Sequence, residues 1–221
     1  MNTRPPKAEP PRKRSGSSKP KSRDERKQAT RQEIIDAALR LLSDRGYSGL
    51  SLREVTREAG ISPGAFYRHF ESMEALGLVL IDESFGSLRD MLRGARAGKL
   101  DPKKITESSV EVLSRSVAEH PLHWRFIAQE RSTGLTVLRH AITTEIRLIT
   151  AELATDLARF ADLDRWSTED LNIVSGLFVD SMVSIAESFE AATDKKELNA
   201  LKVTAEKRLR MIIVGMAGWK S

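Results

Sequence analysis

The 221-residue chain contains no cysteine. That excludes a disulfide framework, a thiolate zinc site and a thiol nucleophile, and it fits a reducing cytoplasm. Aromatic residues supply only 5% of the sequence, and the abundance of Ala, Leu, Glu and Arg favours helix over sheet. No segment shows the apolar/polar alternation of a strand. The longest purely apolar run lies within Met211–Trp219, far too short to span a bilayer, and the N-terminal region lacks the apolar core of a secretion signal. HExxH and glycine-rich phosphate loops are absent, and no histidine stands at useful spacing from the Glu-Arg-Ser or Asp-Glu-Ser clusters. His69 has no second metal ligand at helical spacing. The expectation is an all-α, cytoplasmic protein without enzymatic activity, metal or cofactor, whose 40% apolar content suffices for a core.

Charge is unevenly placed. Residues 1–23 hold eight cations (Arg4, Lys7, Arg12, Lys13, Arg14, Lys19, Lys21 and Arg23) against Glu9 alone. That segment carries +7 of a chain total of +5, which leaves the other 198 residues at −2. Residues 1–24 also hold five of the eight prolines and almost nothing apolar, so the segment is expected to be a disordered basic tail. It immediately precedes the motif that points to nucleic acid, where a positive field would meet phosphates.

That motif is SLREVTREAGISPGAFYRHF, residues 51–70. Ser51 and Glu54 form a capping box at a helix start. Leu52, Val55 and Ala59 share a face, and Gly60 supplies a left-handed residue that ends the helix. Ser62 caps a second helix with Pro63 at its first position. Two short helices across a glycine-containing turn make a helix-turn-helix. Phe66 and Phe70 would anchor the second helix while Gly64, Tyr67, Arg68 and His69 face the DNA major groove. Arg68 is the expected base reader, because a guanidinium spans guanine O6 and N7. Gly64 and Ala65 let the helix sit deep, Ala65 within reach of a thymine methyl. Ser51, Arg53, Tyr67 and His69 are expected mainly at phosphates, with Ser62 and Pro63 at the helix start.

A first helix is expected over roughly Asp24 to Arg45, closed by Gly46, with Tyr47 packed back on the head. A fourth starts at Ser72 and carries Leu78, Ile81, Phe85, Leu88 and Leu92 at three- and four-residue spacing. Asp101-Pro102 starts a fifth, and His120-Pro121 breaks it and opens a sixth. Gly134 precedes a seventh, striped from Leu135 to Phe160. Ser167 caps an eighth with Leu171, Val174, Phe178, Met182, Ile185 and Phe189. A ninth carries Leu198, Leu201, Ala205, Leu209, Ile212, Met216 and Trp219. The expected division is a tail (1–24), a DNA-binding head (25–71) and a helical body (72–221).

This layout, a helix-turn-helix containing GAFYRHF ahead of a long helical body, resembles the TetR family of bacterial repressors. Three stretches resemble one branch more closely, the regulators of unsaturated fatty-acid synthesis of the FabR and DesT kind. They are residues 51–70, LGLVLIDESFGSLRDMLRGAR and FIAQERSTG. The family resemblance implies a homodimer on a palindromic operator, with an effector pocket in the body. The branch resemblance implies a long-chain acyl-CoA or acyl carrier protein thioester as effector. One departure stands out: many relatives place a phosphate-holding lysine near the start of the fourth helix, where this chain reads Glu71-Ser72-Met73-Glu74.

Helices eight and nine are apolar over more than one face, and Val174, Phe178, Met182, Ile185, Leu209, Ile212, Ile213 and Met216 are the expected dimer residues. Candidate pocket residues are Phe85, Leu88, Leu92, Trp124, Phe126, Ile142, Ile146, Ile149, Leu177 and Phe178, an apolar set suited to an acyl chain. Arg131 is the candidate cation at the pocket mouth, facing a thioester carbonyl or phosphate; a salt bridge to Asp82, Glu83 or Glu130 is its alternative role. The reading is a repressor of fatty-acid desaturation or unsaturated fatty-acid synthesis genes. The alternative is a TetR-type regulator of drug efflux responding to a bulky lipophilic compound.

Overall fold

The computed structural model describes residues 22–42, 45–97, 105–160 and 162–221; beyond Gly86 in the fourth helix, only Arg89 has a described side chain. Among these residues there are nine α-helices and no strand. They are α1 (Arg23–Leu41), α2 (Leu52–Glu58), α3 (Pro63–Phe66), α4 (Met73–Ala97), α5 (Ile105–Glu119), α6 (Pro121–Thr133), α7 (Thr136–Leu157), α8 (Thr168–Ala191) and α9 (Lys195–Gly218). The all-α expectation holds. Tail residues 1–21 and the Asp101-Pro102 start of the fifth helix lie outside the described residues.

Local chemistry explains most boundaries. A capping box of Ser22 and Glu25 starts α1, so Arg23 and Asp24 are helical and not part of a tail. The helix ends at Leu41, earlier than the expected Arg45, and Gly46 is extended (φ −72°) and opens a 3-10 turn at Tyr47–Gly49. His120 precedes Pro121 at the first position of α6. Ser167 and Asp194 cap α8 and α9 through their side-chain oxygens. The seventh helix stops at Leu157, which leaves Phe160 outside its stripe and exposed.

Two apolar clusters hold the molecule together. The first joins head and body without interruption: Ile34, Val55, Phe66 and Phe70 belong with Leu76, Leu80, Phe126, Leu138 and Ile142. α4 therefore roots in the head core and continues as a body helix. The second cluster joins Val110, Leu113 and Val117 of α5 to Ile185, Ala186 and Phe189 of α8 and to Ala205 and Leu209 of α9. Burying a Leu, Ile or Phe side chain in such a cluster contributes about 1.5–3 kcal/mol.

Tyr47 sits where head meets body. Its ring lies 6.1 Å from that of Phe126, and its hydroxyl donates to the Met73 carbonyl. Burial pushes the phenol well above the ordinary tyrosine range. Gly77 makes this packing fit: a Cβ there would fall 2.9 Å from Leu138 Cδ2 and 3.0 Å from Tyr47 Cζ.

Candidate nucleic-acid interface

The reading head is a capped frame. Ser51 Oγ accepts from the Glu54 amide at 3.3 Å and donates to Glu54 Oε2 at 2.6 Å, while the Ser51 amide donates to the same carboxylate at 3.1 Å. At the other end of α2, Gly60 has φ 64°. The Ile61 amide donates to Thr56 O at 2.9 Å and the Gly60 amide to Arg57 O at 3.2 Å. This pair of bonds is a Schellman ending, and it aims the chain into α3. Ser62 Oγ then accepts from the Ala65 amide at 3.2 Å, with Pro63 at the first helical position.

The second helix is shorter than the sequence suggested. α3 closes at Phe66, and Tyr67, Arg68 and His69 lie on the turn that follows. That turn is fastened by amide donation from Arg68 to Ala65 O (3.2 Å), His69 to Phe66 O (2.8 Å) and Phe70 to Phe66 O (3.0 Å). Phe66 and Phe70 are buried, as expected of anchors. Arg53, Ser62, Pro63, Gly64 and Arg68 are exposed, and Tyr67 is 58% exposed with its ring edge-on to Phe66. Nothing lies within 4 Å of a Cβ built on Gly64, so backbone can approach a duplex closely there. Ala65 is half-buried. Ser51 is exposed but its hydroxyl is engaged by Glu54, so its role here is the cap.

His69 is half-buried, and its Nδ1 is buried without a hydrogen-bond partner among the described residues. Burial holds its imidazole below the ordinary histidine range, helped by the charges of Lys27, Arg68 and Arg31. Lys27 and Arg31, on α1, are cations at this face that the motif reading missed. The signal was their four-residue spacing in RDERKQATR, which puts both on one side of α1. Arg31 also lies 5.1 Å over the Phe70 ring and 3.6 Å from Glu83.

The expected pocket residues do not form one group. Phe85, Phe126, Ile142 and Ile149 are buried in the first cluster, with Ile146 packed against it. Trp124 and Phe178 pack against the second. Leu177 is 54% exposed and faces outward, so its placement in an interior tunnel is corrected: one residue from Phe178 is a rotation of about 100° on a helix. The side chains of Leu88 and Leu92 lie outside the described residues. Arg131 is exposed, and its Nη1 is 2.5 Å from Glu187 Oε1 on α8. Its partner is none of the three carboxylates expected from sequence.

The expected dimer residues divide as well. Val174, Ile185 and Leu209 are buried inside the protomer and cannot face a partner; their own core consumes the main stripe of each helix. Phe178, Met182, Ile212, Ile213 and Met216 are half-buried. The large apolar side chains left open are Ile173 and Leu177 on α8 and Val203, Met211 and Val214 on α9, Met211 at 73%. By length and composition alone α8 would also pass as a bilayer-spanning helix; buried and open apolar faces on one helix account for that.

Comparison with known proteins agrees with this geometry. Residues 34–78 match the family model described as bacterial regulatory proteins, tetR family. That span runs from the buried face of α1 through the helix-turn-helix into α4. A TetR-like transcriptional regulator from Rhodococcus sp. RHA1 is similar in structure, with TM-score 0.64 and 19% identity over 86% of this chain and 97% of that one. The fatty acid degradation regulator FadR from Bacillus halodurans gives TM-score 0.68 at 19% identity, over 86% and 96% of the two chains. Salmonella enterica GusR gives 0.62 at 21% identity, over 82% and 96%. The head thus carries the match to the tetR family, and the chain as a whole shares the helical fold of these solved structures.

Proposed function

We propose that the protein is a homodimeric, effector-responsive repressor that binds a palindromic operator through Gly64, Tyr67 and Arg68. The observation that carries this reading is the open face of α3 and its following turn, held by two caps and two buried phenylalanines. Two such faces in a dimer would read half-sites about one DNA turn apart, roughly 34–36 Å. Arg68 supplies base readout, and Arg53, Tyr67 and His69, with Lys27 and Arg31, supply phosphate contacts.

The proposed effector is a long-chain acyl thioester, carried by coenzyme A or acyl carrier protein, and the target genes are those of fatty-acid desaturation or unsaturated fatty-acid synthesis. Three supports stand behind it: the resemblance of the three sequence stretches, the apolar character of α4, α6 and α7 around Phe85, Phe126 and Ile146, and a structural neighbour that is itself a fatty acid degradation regulator. α4 connects the proposed effector region to the head core. A shift of that helix would change the spacing of the two reading faces, with a coupling of about 1–3 kcal/mol typical of such systems.

Two measurements test the reading. Selection of duplexes from a random pool by the full chain should enrich a palindrome; enrichment of no sequence would overturn the operator assignment. Mass spectrometry of ligand copurified with the protein should find an acyl thioester. A bulky aromatic or cationic compound in its place would transfer the protein to the drug-responsive class.

A further inference from the structure

We infer that Glu130, on the body helix α6, is the positioning residue that sets the reading head, acting as a long-range cap on the turn that precedes the helix-turn-helix. This rests on the DNA-binding reading above and adds a residue to it. Helix and turn starts leave backbone amides without partners, and a local Ser, Thr, Asp or Asn ordinarily satisfies them. α2, α3, α8 and α9 all follow that rule, through Ser51, Ser62, Ser167 and Asp194. The turn at Tyr47–Gly49 does not: its cap position is Gly46, which has no side chain. The acceptor comes from 83 residues away, where Glu130 Oε1 takes the Tyr47 amide hydrogen at 2.8 Å.

The site is built for this contact. Glu130 is 1% exposed, and burying a carboxylate is costly unless it is hydrogen-bonded. Its other oxygen, Oε2, is buried without a partner among the described residues, so Tyr47 is the hydrogen bond that holds the group in place. Gly46 lies against the same group: a Cβ there would stand in ordinary contact with Glu130 Oε1 and Gln129 Nε2, both at 3.5 Å. Gly134 ends α6 against the same residue, where a Cβ would clash with Glu130 Oε2 and with the Glu130 carbonyl oxygen. From Tyr47 the chain passes directly to DNA-facing structure. The Leu50 amide donates to Tyr47 O at 3.0 Å, and Ser51 caps α2 one residue later.

The neighbouring residue ties the same turn of α6 elsewhere. Arg131 reaches Glu187 on α8 at 2.5 Å, and Arg125 reaches Glu190 at 2.6 Å. α6 is therefore held to α8 by its guanidiniums and to the head by Glu130. Movement of α6 relative to the head withdraws the cap from Tyr47 and frees the turn that carries α2.

The test uses the full chain with Glu130→Met, which keeps the side chain's length and removes the acceptor, and Glu130→Gln, which keeps an acceptor oxygen. Hydrogen exchange is read at Tyr47 and through residues 52–66, beside affinity for the operator enriched by wild type. In Glu130→Met, exchange at Tyr47 and through 52–66 should rise at least tenfold and operator affinity should fall by a similar factor, with α8 and α9 unchanged. Glu130→Gln should retain most of both. Wild-type exchange at Tyr47 in Glu130→Met would overturn the inference, as would an equal rise throughout α8 and α9, which would make Glu130 an ordinary core residue. If wild type enriches no operator, the DNA reading fails by itself, and the exchange pattern still decides the role of Glu130.

Discussion

Arg45 Nη1 lies 2.9 Å from Glu54 Oε1, while the other oxygen of that carboxylate holds Ser51. One half-buried glutamate thus fastens the start of α2 to the segment between α1 and the 3-10 turn. The Ser51 hydroxyl, with Arg45 next in importance, lowers the Glu54 carboxyl from its ordinary value to about 2.

The sign of the resulting pH dependence follows from linkage. A carboxyl held below its unfolded value contributes stability that is complete above the unfolded value, near 4.5, and is lost as pH falls through about 2. Glu54→Gln should therefore lower the urea midpoint at pH 7, with the gap to wild type closing as the pH drops through that window. A carbon-13 titration of Glu54 with its midpoint in the ordinary glutamate range would contradict the arrangement.

Much of the head was legible because its signals are local. Ser51 with Glu54, Gly60, and Ser62 with Pro63 each act within a few residues, so spacing alone placed both helix starts and the turn. The end of α3 was not legible, because Tyr67, Arg68 and His69 suit a helix as well as the tighter turn they adopt. The bond between Glu130 and Tyr47 spans 83 residues and leaves no periodic trace. The body stripes were visible, yet periodicity does not say which apolar face a protomer keeps for itself. That is why Val174, Ile185 and Leu209 were expected at a partner and lie in the core.

Gly64 separates folding from reading. No atom lies within 4 Å of a Cβ there, and leucine is the better helix former by close to 1 kcal/mol. Gly64→Leu should leave the melting temperature unchanged or raised. In the major groove the same side chain would hold the backbone away, and operator affinity should fall tenfold or more. A mutant that binds like wild type would mean that Gly64 does not approach the duplex.

Arg68 distinguishes base contact from phosphate contact. Arg68→Ala should cost about 1–3 kcal/mol at the enriched operator and relax preference at one base pair in each half-site. Equal loss on operator and scrambled duplexes would instead assign Arg68 to the backbone, with a shallower salt dependence as its signature.

The faces of α8 and α9 decide the oligomer. A two-fold dimer presents the same patch from each protomer, so one substitution introduces two charges into one interface. Leu177 and Val214 are open in the protomer, so arginine at either position should leave helix content and the protomer core intact. In a homodimer that packs α8 and α9 against their symmetry mates, the same change would bury two unpaired cations, which is far costlier than losing apolar contact. Leu177→Arg with Val214→Arg should convert a dimer to a folded monomer by light scattering, and operator affinity should fall because two half-sites are no longer bound together. Ile185→Arg is the contrast: that side chain is buried between α5, α8 and α9, so the charge should unfold the body and not merely separate protomers. A doubly substituted protein that remains dimeric would place the interface on another surface.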